Sequence, residues 1–306
     1  MNIVFFGTPE FAVAPFKKLL RSRHKIVAVV TQPDRQRGRG RHVSASPVKV
    51  QADNSGITVL QPLKVKFPDF IGAMKKILPD SIVVVAYGQI LPPEIIQLPK
   101  FGCINIHASL LPKYRGAAPI NWAIVNGEIK TGVTTMLMDE GMDTGPVLLQ
   151  RETEIKPDDT AGTLSQRLSE TGAELLIETL ERIEDGTVQP EPQTGEATYA
   201  PILKKNDGHI QWRKSSREIS DLVRGMTPRP GAFTYLKGER IKILKAVSIE
   251  GSGEEGIIYR VTKDILYTGT GRGLLSLLEL QPAGKPPMPV KAFLQGRDMR
   301  EGMRFD

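Results

Sequence analysis

The run Ser81-Ile82-Val83-Val84-Val85-Ala86 decides the class of fold, because it is short, β-branched and almost wholly apolar. Such a run fits a strand buried on both faces, as in a parallel sheet covered by helices. Asn2-Ile3-Val4-Phe5-Phe6, Lys25 to Thr31 and Cys103-Ile104-Asn105-Ile106-His107 read the same way. Between these runs, Thr8-Pro9-Glu10 and Ser46-Pro47 each set an N-cap residue ahead of a proline at the first helical position. Gly56 is a plausible stop for the second helix. The alternation predicts an α/β fold, a Rossmann-like and mostly parallel sheet forming an N-terminal domain.

Working outward, the pattern changes at Thr131. Gly132 to Met138 is expected to pair as a hairpin with Val147 to Ile155 across the turn-rich Asp139-Glu140-Gly141-Met142-Asp143-Thr144-Gly145-Pro146. A long helix follows, capped by Asp158 or Asp159 and ended by Asp185-Gly186. Leu164, Leu168, Leu175, Leu176, Leu180 and Ile183 form its apolar stripe. Residues 190–205 are rich in Pro, Gln, Glu and Thr and read as a linker. This divides the chain into a domain of residues 1–189 and a second of residues 206–306. The second opens with an amphipathic helix around Ser216 to Arg224. Short strands then follow over Ala232 to Leu236, Arg240 to Val247, Asp264 to Thr268 and Gly273 to Leu280, as in a small OB-like β-barrel.

Composition agrees with two folded domains. In 306 residues, 40% are apolar and 25% charged, so neither disorder nor low complexity is expected. Cys103 is the only cysteine, which excludes an intramolecular disulfide and fits a reducing compartment. The start MNIVFFGTPE lacks a basic leader, and no apolar run reaches the ~18 residues of a membrane span. A soluble, cytoplasmic monomer is therefore expected. His24, His42, His107 and His209 are scattered without metal-ligand spacing, so no metal is expected.

Because strand residues alternate faces, Asn105 and His107 project the same way at the carboxyl end of a predicted parallel strand. Open α/β sheets bind ligands outside those ends. The pair can equally be satisfied polar groups that end a strand. Asp143, in a Gly-flanked loop, reads either as a turn residue or as a carboxylate aimed at the imidazole. After the first strand, Gly7-Thr8-Pro9-Glu10-Phe11-Ala12 lacks the dinucleotide fingerprint. Arg37-Gly38-Arg39-Gly40-Arg41 lacks the ending of a phosphate-cradling loop.

Read together, the motifs resemble those of the folate-dependent formyltransferases nearly end to end. The resemblance is carried by Phe6-Gly7-Thr8-Pro9-Glu10-Phe11, Thr31-Gln32-Pro33-Asp34-Arg35, Ser46-Pro47-Val48-Lys49, Ala86-Tyr87-Gly88-Gln89-Ile90-Leu91-Pro92, Gly102 to His107 and Ser109-Leu110-Leu111-Pro112. It implies 10-formyltetrahydrofolate as formyl donor, Asn105, His107 and Asp143 in the catalytic places, and Ser109, Leu110, Leu111 and Pro112 as the folate signature. Gln89 and Leu91 would line the pterin pocket.

Net charge is +7, and residues 31–50 carry four Arg and one Lys against one Asp. Alone, that loop is a solvated basic insertion. Family members that act on charged tRNA have a similar loop reaching the acceptor end, so the resemblance implies initiator methionyl-tRNA as partner. Arg39 and Arg41, then Arg37 and Arg35, are the expected contacts, since arginine pairs with phosphate and stacks on unpaired bases. Residues 206–306 hold 17 Lys plus Arg against 12 Asp plus Glu, a balance suited to a nucleic-acid backbone. The rivals are a formyltransferase or hydrolase acting on a small amine or on water, and a noncatalytic RNA-binding protein on the same scaffold.

Overall fold

The structure, a computed structural model, describes residues 1–37 and 42–306. They form two compact units. One comprises Met1–Gly116, Lys130–Glu154 and Ser165–Tyr199, and the other Ala117–Ile129, Ile155–Leu164 and Ala200–Asp306.

In the first unit the strands in chain order are β1 (Asn2–Gly7), β2 (Lys25–Val30), β3 (Arg35–Arg37), β4 (His42–Ser44) and β5 (Val59–Leu60). β6 (Ser81–Val85), β7 (Cys103–His107), β8 (Arg115–Gly116), β9 (Lys130–Leu137) and β10 (Val147–Glu154) follow. The main sheet has the order β10-β9-β7-β6-β1-β2-β5. Its β5-β2-β1-β6-β7 half is parallel, while β9 and β10 join as antiparallel strands. Every residue of β6 is buried, as a strand covered on both faces requires. The chain order turns back between β1 and β6, which places a switch point there.

Helices α1 (Val13–Leu20), α2 (Pro47–Asn54), α3 (Pro68–Ile77) and α4 (Pro93–Ile96) belong to this unit, α5 (Pro119–Val125) to the other. Ser46 caps α2 as expected, its hydroxyl accepting from Lys49 N at 3.1 Å. Thr8 does not cap a helix. A 3₁₀ turn (Glu10–Ala12) precedes α1, and the Thr8 hydroxyl donates to the Tyr87 carbonyl at 3.0 Å and accepts from Gln32 N at 3.3 Å. It thereby ties together the chain ends that follow β1, β2 and β6. α6 (Ala161–Glu184) buries Leu168, Leu175, Leu176 and Leu180. A Cβ at its Gly172 would lie 3.0 Å from Ile106 of β7, so glycine lets α6 approach the sheet closely. The helix ends on Gly186 (φ +67°) as expected. At its start, Thr160 replaces the expected Asp158 or Asp159 as cap, its hydroxyl accepting from Thr163 N at 3.2 Å. Asp159 instead braces the preceding turn through Lys156 N at 2.8 Å.

After β11 (Tyr199–Ala200), the second unit carries β12 (Ala232–Leu236), β13 (Glu239–Ile249), β14 (Ile258–Val261), β15 (Leu266–Gly269), β16 (Leu274–Pro282) and β17 (Met288–Pro289). They run antiparallel in the order β12-β13-β16-β15-β14, with β17 on β16. α7 (Ser216–Met226) is held by a Ser215/Glu218 capping box and buries Ile219, Val223 and Met226 in a core with Ile241, Leu275 and Phe293. The final helix is α8 (Val290–Gln295).

Candidate active site

β7 is the strand where the two halves of the sheet meet. Asn105 lies opposite Val84 on its parallel side and Met136 on its antiparallel side, and His107 lies opposite Thr134. The strand ends at His107, so the imidazole stands at the carboxyl edge where a parallel half-sheet binds ligands. Asn105 is half-buried, and its amide donates no hydrogen bond within the described residues. Two residues earlier, Cys103 is sealed in the core, and burial pushes its thiol up to about 12. No thiolate nucleophile is available there at neutral pH.

His107 is 6% exposed, and its Nε2 lies 2.9 Å from the Tyr114 carbonyl oxygen. A carbonyl only accepts, so Nε2 carries a hydrogen in either charge state of the ring. Nδ1 is the ring nitrogen left for another partner, and it faces Asp143 Oδ2 at 3.6 Å. Asp143 is aimed by its backbone. Its φ of +54° is a left-handed conformation that Asp tolerates better than most residues. Its Oδ2 accepts from Gly116 N at 2.8 Å. The loop closes tightly behind it, since a Cβ at Gly145 would sit 1.9 Å from the Leu137 carbonyl oxygen. Asp139 braces the same loop, accepting from Gly141 N at 3.0 Å and from the Thr144 hydroxyl at 2.8 Å.

The Ser109-Leu110-Leu111-Pro112 turn follows His107 directly and is pinned by the antiparallel strands. Thr134 Oγ1 donates to the Ser109 carbonyl at 2.7 Å and accepts from Leu111 N at 3.1 Å. Gln150 Nε2 donates to the Leu111 carbonyl at 2.8 Å and to Thr134 Oγ1 at 3.0 Å. Ser109 and Leu111 are buried, while Leu110 and Pro112 are partly exposed. Gly132 gives Leu110 its space, since a Cβ there would lie 2.5 Å from the leucine.

Asn105, His107, Asp143 and the 109–112 turn thus share one unit and the end of one strand. Gln89 is engaged elsewhere, its Oε1 accepting from Val65 N at 3.2 Å and its Nε2 donating to the Leu63 carbonyl at 3.3 Å. Leu91 is 2% exposed, in an apolar core with Phe6, Met74 and Tyr87. Arg35 is exposed on β3 and donates to Gln32 Oε1 at 3.1 Å. Arg37 lies opposite His42 in the β3-β4 pair. Arg39 and Arg41 lie outside the described residues. Among the described residues no cluster of three His, Cys, Asp or Glu could hold a metal, and no helix is long and apolar enough to cross a membrane.

Sequence reasoning missed the groups that orient the pair. The Tyr114 carbonyl and the Gly116 amide are main-chain atoms without a side-chain signature. Thr134 reads as an ordinary β-branched strand residue. Gln193 donates through Nε2 to the carbonyls of Asp143 and Gly145 at 2.8 Å each. It lies in the 190–205 stretch, where nothing periodic marks it.

Residues 1–180 match the family model described as formyl transferase, and residues 202–298 match formyl transferase, C-terminal domain. A methionyl-tRNA formyltransferase from Thermodesulfovibrio yellowstonii is 54% identical, covering 99% of this chain and 98% of its own. One from Caldanaerobacter subterraneus is 51% identical, covering 99% of each. Among solved structures, HypX from Aquifex aeolicus in complex with tetrahydrofolic acid superposes with a TM-score of 0.64 at 20% identity, which speaks for the fold. The match covers 97% of this chain and 47% of that one, so this chain spans about half of HypX.

Proposed function

The chain belongs to the formyl transferase family, and from that premise we propose that it moves the formyl group of 10-formyltetrahydrofolate onto the amine of the methionyl moiety of initiator methionyl-tRNA. The product is N-formylmethionyl-tRNA, used in translation initiation, and the setting is the cytoplasm. The observation that carries the chemistry is the directed His107–Asp143 pair, with Nε2 committed to a carbonyl and Nδ1 left to exchange a proton.

The neutral amine attacks the formyl carbon, a C–N bond forms, and the carbonyl π electrons move to oxygen. Asn105, with an amide free to donate, stabilises the oxyanion. The attacking nitrogen gives up a proton to His107 Nδ1, and the Asp143 carboxylate stabilises the imidazolium that results. When the oxyanion collapses, the bond to folate N10 breaks, and that nitrogen takes the proton back from the His107 imidazolium, which restores the neutral ring. The rigid 109–112 turn beside His107 is the folate-facing wall, and its apolar side chains suit a flat heterocycle.

Arg35, Arg37, Arg39 and Arg41 contact the tRNA, with the basic second unit adding sequence-independent attraction to phosphate. Support comes from the charge of both segments and from the named relatives, which cover almost the whole chain. The test offers the protein 10-formyltetrahydrofolate with charged initiator tRNA, free methionine, small amines or water alone. Formyl transfer confined to the charged tRNA is expected. Equal transfer to a small amine, or release of formate only, overturns the acceptor assignment.

A further inference from the structure

Near the end of the first unit, residues 191–198 contact the His107–Asp143 pair at its supports. Gln193 uses its entire side-chain amide. Nε2 donates both hydrogens, to the Asp143 and Gly145 carbonyls at 2.8 Å, and Oε1 accepts from Arg115 Nε at 3.1 Å and Nη2 at 2.6 Å. A guanidinium only donates and a carbonyl only accepts, so the amide fits in one orientation alone. Both partners lead back to the pair. Arg115 lies between Tyr114, whose carbonyl holds His107 Nε2, and Gly116, whose N–H holds Asp143 Oδ2. The Asp143 carbonyl belongs to the residue with the left-handed backbone that aims the carboxylate.

The rest of the segment repeats the pattern. Thr198 Oγ1 accepts from Tyr114 N at 2.8 Å, and the Thr198 carbonyl accepts from Arg115 N at 2.9 Å. Glu191 and Val147 exchange both main-chain hydrogen bonds, at 2.7 and 2.8 Å. Residues 191–198 are therefore tied to the two loops that build the pair and to the strand that follows the second of them.

We infer that Gln193 is a positioning residue for formyl transfer, joining Arg115 to the Asp143 backbone so that the carboxylate stays aimed at His107 Nδ1. This rests on the reading that the His107–Asp143 pair takes the amine proton. A carboxylate facing the ring stabilises the charge that proton transfer places on it, so a loosened Asp143 lowers kcat while substrate binding is kept. Misplacement of a catalytic group by about 1 Å costs on the order of 100-fold in rate.

The experiment compares kcat and both KM values for Gln193→Leu, Gln193→Glu, Asp143→Asn and the Gln193→Leu/Asp143→Asn double variant. Gln193→Glu keeps an acceptor for Arg115 but cannot donate to the two carbonyls, so it separates the two ends of the bridge in a side chain of the same size. Both Gln193 variants are expected to lose about 10- to 100-fold in kcat, with both KM values nearly unchanged, a split that a general loss of structure would not give. Adding Gln193→Leu to Asp143→Asn is expected to cost nothing more. Wild-type kcat in both Gln193 variants overturns the inference and leaves the pair's role standing, as does an undiminished loss in the Asp143→Asn background. Wild-type kcat in Asp143→Asn removes the proton-transfer reading, and this inference with it.

Discussion

Two loops leave the carboxyl edge of the main sheet, one after β7 and one after β2, and they are held by opposite means. After β7, the 109–112 turn hangs on Thr134, a fully buried hydroxyl that serves two main-chain partners. After β2, the base of the arginine loop is fastened by Asp34, which accepts from Lys49 Nζ at 2.6 Å and Gln61 Nε2 at 2.8 Å near the surface. A buried hydrogen bond is costly to break because its former partners cannot turn to water, whereas exposed charges are solvated either way. On the proposed reading, the atoms for bond-making are carried on the buried, antiparallel side. The charged loop, with a proposed partner reached through long-range attraction, then needs only a solvated tether.

The largest effect separates chemistry from anchoring. His107→Ala removes the proposed proton acceptor without touching either loop's tether, and kcat is expected to fall by about 10²- to 10⁴-fold. Single-turnover kinetics with saturating folate and charged tRNA measure it. A drop smaller than tenfold would mean that the β7 edge does not carry the chemistry.

Thr134→Val comes next and addresses the buried tether directly. It preserves shape but leaves Leu111 N without its acceptor and the Ser109 carbonyl without its donor. Denaturant unfolding is expected to show a loss of about 1–3 kcal/mol, accompanied by a raised KM for folate. A neutral result would make the turn self-supporting.

The same contrast explains what could be read in the sequence. Strands buried on both faces announce themselves, so β1, β2, β6 and β7 were legible as apolar runs, and the hairpin of β9 and β10 by its turn residues. Asn105, His107 and Asp143 were marked as candidates by their places at a strand end and in a glycine-flanked loop, but those places left the bland readings open, and only the resemblance implied catalytic roles. Thr134 and Gln150 did not, since a threonine facing the interior of a strand looks like one facing solvent until the opposing main chain is known. Gln193 was hidden more deeply, its partners being carbonyls and a guanidinium some fifty to eighty positions away. β14 was missed because Tyr259 and Arg260 are exposed in a four-residue strand with little apolar pattern. Thr8 misled, because a sequence suited to an N-cap was used to join strand ends instead.

On the arginine side, replacing Arg35, Arg37, Arg39 and Arg41 together by Ala is expected to raise KM for charged tRNA roughly tenfold near physiological salt and to flatten its salt dependence. KM for folate should stay as it is. An equal rise in both KM values would make the loop part of the β7 site rather than a separate attachment.

The smallest effect is expected at the exposed tether itself. Hydrogen bonding from Lys49, then from Gln61, holds the Asp34 carboxyl below its ordinary range. The native state therefore favours the ionised form, and the stabilisation is present above the unfolded carboxylate pKa of about 3.9 and lost as pH falls through the lower, folded value. Because the group lies at the surface, solvent screening keeps the contribution within about 0–1 kcal/mol. Asp34→Asn should therefore unfold within that margin of the parent at pH 7, and the difference should shrink as the solution is acidified below about pH 4. Added salt should shrink it too, since exposed ion pairs are screened. A deficit as large as that of Thr134→Val, persisting in high salt, would show that the loop after β2 is held as firmly as the turn after β7, and the division between buried and solvated tethers would fail.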